Sequence, residues 1–190
     1  MSKLNKILII LFVIALISLP IYIYKQKSNS FNYNGYKFIK TNDNTYDIEI
    51  YFKNDINPHY ISSRYSPKEL DRIMIEPDLK NKVLKKEIYI TLTPNLTSTS
   101  VVALAEISKI TSNKFLYNIP TTGALTYSLN KNPVKTCRNA NNRTTIILLK
   151  LDNQTKVSSQ GDCVIVSGTD EDEIIRAGTR LTLTMLGIMK

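Results

Sequence analysis

At 190 residues, 43% of them apolar and 22% charged, the chain has room for one folded domain and a tail, and its composition excludes a wholly disordered polymer. The net charge of +9 is spread thinly: even the densest stretch, Arg64 to Glu87, sets seven Lys/Arg against five Asp/Glu. A nucleic-acid surface concentrates its charge beside aromatics or a recognisable motif, so a generally basic surface is expected and nucleic acid is not an expected partner.

The chain opens "MSKLNKILIILFVIALISLPIYIYKQK". Residues 7–24 form an uncharged run of eighteen, broken only by Ser18 and Pro20. A helical rise of about 1.5 Å per residue makes this about 27 Å, near the hydrocarbon thickness of a bilayer. Lysines flank both ends, and Tyr22 and Tyr24 sit where interfacial aromatics belong. A cleaved signal peptide would have a shorter apolar region, roughly 7–15 residues, and a small-x-small cleavage site. A core helix would not be apolar on every face, and the glycine and glutamate of a pilin leader are missing. Expected, then, are a cytoplasmic end at 1–6, a transmembrane signal anchor at 7–24 with the lipid bilayer as its partner, a linker at 25–34, and a domain at 35–190. The lysine flanks do not fix the orientation. Three glycosylation sequons, at Asn95, Asn142 and Asn153, and two cysteines place the domain outside the cytoplasmic membrane.

In chain order, "GYKFIKTNDNTYDIEIYF" alternates on both sides of Thr41–Asn44, the pattern of a β-hairpin. Pro58 and Pro67 mark turns. Ser66, Pro67 and Glu69 suit the cap, first position and first turn of a short helix. "EIYITLTP" is a strand ended by proline. The helix after "NLTSTS" is expected to bury Val101, Leu104, Ala105 and Ser108, with Val102, Ile107 and Ile110 widening the stripe. "GALTYSL" reads as a strand. "TTIILLKL" is apolar throughout and fits a central strand, parallel to the one at Glu87. "TKVSSQGDCVIVSG" supplies two strands about a turn at Gln160–Asp162. The expected class is α/β (or α+β): a small mixed sheet with helices packed on it, behind one transmembrane helix.

The ending "SGTDEDEIIRAGTRLTLTMLGIMK" carries four consecutive acids, Asp170 to Glu173. Ile174, Ala177, Gly178, Leu181 and Met185 follow at helical spacing, so the acids read as a helix start with Thr169 as its cap, Asp172 completing a capping box and Gly187 as the stop. Adjacent acids on a helix point in different directions, which argues against a metal site. His59 is the only histidine and has no triad motif beside it. No zinc spacing and no phosphate-binding glycine motif occurs. No catalytic residue, metal or cofactor is therefore expected.

The cysteines are Cys137 and Cys163. If bridged, they close a loop of about 25 residues, stabilising by roughly 3 kcal/mol in the chain-entropy model. Two unrelated buried thiols are the other reading that the residues allow. The stretch from "TSTSVVALAEISKI" to the carboxyl end resembles the extracytoplasmic domain of single-pass archaeal membrane proteins with a similar "GNCI-V-G… helix …LLGIM" ending. The resemblance covers about the last hundred residues and rests on Gly161, Cys163, Gly168, Leu186 and Gly187. It implies a domain outside the membrane and a Cys137–Cys163 pair, and it brings no functional residues.

Two functions follow as expectations. The first is an anchored binding, scaffolding or cell-surface structural domain with an envelope or cell-surface protein as partner. It calls for an exposed apolar or tyrosine-rich patch and no deep polar pocket. The alternative is a ligand-binding receptor or enzyme using the helix starts at 94–100 and 167–173, where Thr97, Ser98, Ser167 and Thr169 surround free N–H groups that suit an anion. A concave pocket joining the two loops favours the second function; well-capped loops favour the first.

Overall fold

The computed structural model describes residues 12–18, 29–52, 55–128 and 132–190. Two sheets enclose a layer of helices. Sheet A is antiparallel, in the order β1 (Ser30–Tyr33), β2 (Tyr36–Lys40), β3 (Tyr46–Ile50), β4 (His59–Ser63). The expected hairpin is β2–β3, whose alternation sends Phe38 and Ile48 inward as a cross-strand pair, both 0% exposed.

Sheet B has the order β5–β9–β10–β8–β6–β7. Its strands are β5 (Met74–Ile75), β6 (Glu87–Leu92), β7 (Thr121–Leu125), β8 (Thr144–Leu151), β9 (Lys156–Gln160) and β10 (Cys163–Gly168). The unbroken apolar run of β8 lies between β10 and β6, parallel to both, as a strand covered on both faces requires. Only the β9–β10 pair is antiparallel, about the turn at Gly161. With a separate antiparallel sheet and a mixed one, the architecture is α+β.

The helices between the sheets are α1 (Pro67–Leu70), α2 (Leu79–Val83), α3 (Ser98–Thr111) and α4 (Glu171–Met185). In α1 the capping box forms as its sequence dictates: Ser66 N–H and Oγ both donate to Glu69 Oε2, at 2.8 and 2.7 Å. The amphipathic stripe of α4 lies against α3 and β10, with Ile174, Ala177, Leu181 and Met185 all 0% exposed. The helix ends in a Schellman motif: Gly187 N–H bonds Thr184 O at 3.0 Å and Ile188 N–H bonds Leu183 O at 2.9 Å, with Gly187 at φ +75°. One continuous core joins Phe38 and Ile48 of sheet A, Ala103 and Ile107 of α3, Leu181 of α4, and Ile147 of sheet B. The outer face of sheet B carries the described residues 132–143, fastened where Cys137 and Cys163 lie at disulfide distance, Cα to Cα 5.2 Å.

Several expectations need correction. Residues 30–33, expected in the linker, form β1. The single small sheet is two sheets. β7 begins at Thr121 rather than Gly123, and β4 is a strand beyond those expected. The buried face of α3 is Ser100, Ala103, Ile107, Ile110 and Thr111, whereas Val101 is 49% exposed and Ala105 also faces solvent. Polar Ser100 and Thr111 can be buried because their hydroxyls are bonded, so side-chain polarity is a poor guide to the face this helix buries. Asp170, not Thr169, caps α4: Asp170 is extended and its Oδ1 accepts from Glu173 N–H at 2.8 Å. Asp172 therefore completes no capping box with Thr169. Among the described residues no helix is long and apolar enough to cross a membrane. The expected span 7–24 lies outside them except for 12–18, which are helical and exposed.

Candidate functional site

The two helix-start loops meet, as the second function requires. What joins them is not a cavity but Glu171. This side chain, from the first turn of α4, lies across the start of α3. Its Oε1 accepts from Thr97 N–H at 2.9 Å. Its Oε2 accepts from Thr97 Oγ1 at 2.8 Å, Ser100 N–H at 3.0 Å and Ser100 Oγ at 2.9 Å. Thr97 Oγ1 also accepts from Thr99 N–H at 3.2 Å. The donors that suit an external anion thus hold the chain's own carboxylate. Desolvation pushes the Glu171 carboxyl upward, but the bonds from Thr97 and Ser100 outweigh it and hold the group below the ordinary glutamate range.

The strand-to-helix turn makes this contact possible. At Gly168 an added Cβ would lie 2.3 Å from Ile174 N and 2.6 Å from Glu173 C, so only glycine lets α4 begin this close to the end of β10. The four residues expected around a ligand do not converge. Thr97 is engaged with Glu171, Ser98 and Thr169 are exposed, and Ser167 is fully buried with its Oγ donating to Gln154 O at 3.0 Å. Every acid of the run except Asp172 makes a specific contact. Asp170 caps α4, Glu171 caps α3, and Glu173 pairs with Arg176 at 3.3 Å. Asp172 is exposed.

Two other polar sites were not legible in the sequence. Glu106 of α3 lies between the helices and sheet A. Burial pushes its carboxyl above the ordinary range, while Thr179 Oγ1 at 2.7 Å and Arg64 Nε at 3.1 Å pull the other way. Both oxygens are occupied, and the adjoining space is about 10 Å³, room for no more than a water. Arg180 of α4 is 6% exposed and borders an open depression of about 590 Å³ beside β5. Its guanidinium is held by the chain itself: Nε to Ile73 O at 3.4 Å, one terminal nitrogen to Thr184 Oγ1 at 2.8 Å, the other to Lys190 O.

The sequon asparagines Asn95, Asn142 and Asn153 are all exposed, each in a turn or bend. The tyrosines between residues 33 and 60 divide: Tyr33, Tyr36 and Tyr46 pack on the core, whereas Tyr51 and Tyr60 are 59% and 54% exposed. His59 opens β4, with Nε2 2.6 Å from Asp55 Oδ2 and its ring 4.8 Å from Phe52 and 5.9 Å from Phe115. No protein-family model, no curated protein and no solved structure matches this chain.

Proposed function

We propose that this protein is a domain held outside the cytoplasmic membrane by residues 7–24, with a binding or scaffolding role toward an envelope or cell-surface partner. The observation that carries this reading is that the chain's own acids cap both helix starts, Glu171 at α3 and Asp170 at α4, and so occupy donors on which the receptor or enzyme alternative depends. The cysteine pair at disulfide distance supports an oxidising surrounding. The exposed sequons and the resemblance of the carboxyl-terminal half to archaeal extracytoplasmic domains favour the same side of the membrane.

The test is extraction and shaving of intact cells that express the full chain. The chain should stay with membranes washed in alkaline carbonate, and external protease should remove the domain without lysis. Release by carbonate, or full protection until the cells are opened, would overturn the reading.

A further inference from the structure

Exposed apolar side chains gather at one corner of sheet A. Between β3 and β4, Tyr51 is 59% and Ile56 91% exposed; Tyr60, near the start of β4, is 54% exposed, and Phe115, after α3, is 58% exposed. Scattered exposed apolar residues are ordinary, but these all belong to the end of sheet A where β3 stops and β4 begins, or pack against it. The Phe52 ring lies 4.8 Å from His59 and 6.0 Å from Phe115. The corner is also built to present Ile56. Asp55 Oδ1 accepts from Asn57 N–H at 2.9 Å, and its Oδ2 meets His59 at 2.6 Å. This Asx-type turn folds around the acid and leaves Ile56 at its apex.

The tether identifies the occupant. From Tyr24 to Asn29 is five residue steps, which reach about 17 Å at most. Asn29 O accepts from Lys40 N–H at 2.7 Å, which fixes the tethered corner of sheet A. The apolar corner lies diagonally opposite. Three strand spacings of about 4.8 Å and a strand of about 14 Å put it about 20 Å away. A tether this short keeps the patch within reach of the surface in which the anchor sits.

Its chemistry fits that surface. Tyrosine, phenylalanine and isoleucine beside lysine are residues of the membrane interface, and Lys114 Nζ lies 4.9 Å over the Phe115 ring. Two acids lie at this end and both are engaged: Asp55 meets His59, and Glu49 is occupied by Lys37 at 3.2 Å and Tyr51. Residues 29–190 carry 21 Lys/Arg against 16 Asp/Glu, a net charge of +5 that favours an anionic surface.

We infer that the tip at Ile56, flanked by Tyr51 and Tyr60 on one side and Phe115 on the other, rests on the lipid surface of the membrane that holds the anchor, so that this end of sheet A points at the bilayer. This inference rests on the anchored reading above.

The test uses the full chain in vesicles that contain phosphatidylglycerol and lipids with a nitroxide near the headgroup. An environment-sensitive fluorophore is placed on Ile56→Cys in one sample and on Asn142→Cys, on the far layer, in another; the native cysteines are left paired. Quenching several-fold stronger at 56 than at 142 is expected. A second label on Phe115→Cys should behave like the one at 56, which guards against a local effect of a single substitution. Equal quenching at 56 and 142, in chains that float with the vesicles, overturns the docking alone and is the result expected if a protein covers the patch. Chains that do not float at all overturn the anchored reading with it.

Discussion

The carboxylate of Glu171 belongs to α4 yet caps α3, across 74 residues of sequence from Thr97. Replacing it with alanine leaves four donors without their acceptor, two of them on buried Ser100, and Glu171→Ala is expected to destabilise by about 1–2 kcal/mol, as for the loss of a helix cap. The sign with pH follows from the depressed carboxyl. Its contribution is present above the ordinary carboxylate range and fades as pH falls through the lowered folded-state value. The gap between wild type and Glu171→Ala in urea midpoint should therefore be full near neutrality and close on acidification. A gap independent of pH would show that the carboxylate charge is not what holds the loops. The acids were legible as a helix start because they precede a helical stripe. Which of them caps which helix was not: Thr169 and Asp170 are both good caps, and the reach of Glu171 to α3 depends on a neighbour brought in by the fold.

Elements were most legible where pattern and local chemistry agreed. The α4 stripe, the α1 capping box and the apolar run of β8 each state their own geometry. For α3 they disagreed. Its sequence is apolar on several faces, so three- and four-residue spacing admits more than one buried stripe, and the stripe actually used includes Ser100 and Thr111. Crossing geometry decides it: a Cβ on Gly178 of α4 would lie 3.3 Å from Ala103 Cβ, so Ala103 sits at the tight point between the helices. Ala103→Leu should overpack this point and cost about 1–3 kcal/mol. Val101→Lys, on the exposed face, should stay within about 0.5 kcal/mol of wild type. Denaturant midpoints at unchanged slope measure both, and equal effects would return α3 to the expected face.

At the scale of the molecule, a helical layer lies between two sheets, with a looped segment fastened to the outer face of the larger one. Neither the second sheet nor the place of the helices beneath it could be read from periodicity, because a hairpin pattern does not say what its apolar face will meet. The cysteines could be counted but not paired from the residues alone. The link from Cys137 to Cys163 should stabilise by about 3 kcal/mol. For a chain of this size that corresponds to a melting temperature lower by about 6–12 °C after reduction, readable by calorimetry with and without dithiothreitol. No change on reduction would mean that the pair does not constrain the fold.

The most direct test of an anchored domain in an oxidising surrounding is the intact mass of the full chain, purified from membranes and alkylated without reductant. The expected mass retains the amino-terminal apolar run and carries no alkyl group on Cys137 or Cys163. A chain that has lost that run, or that gains two alkyl groups, would contradict the account and return the domain to the cytoplasm or to a released form.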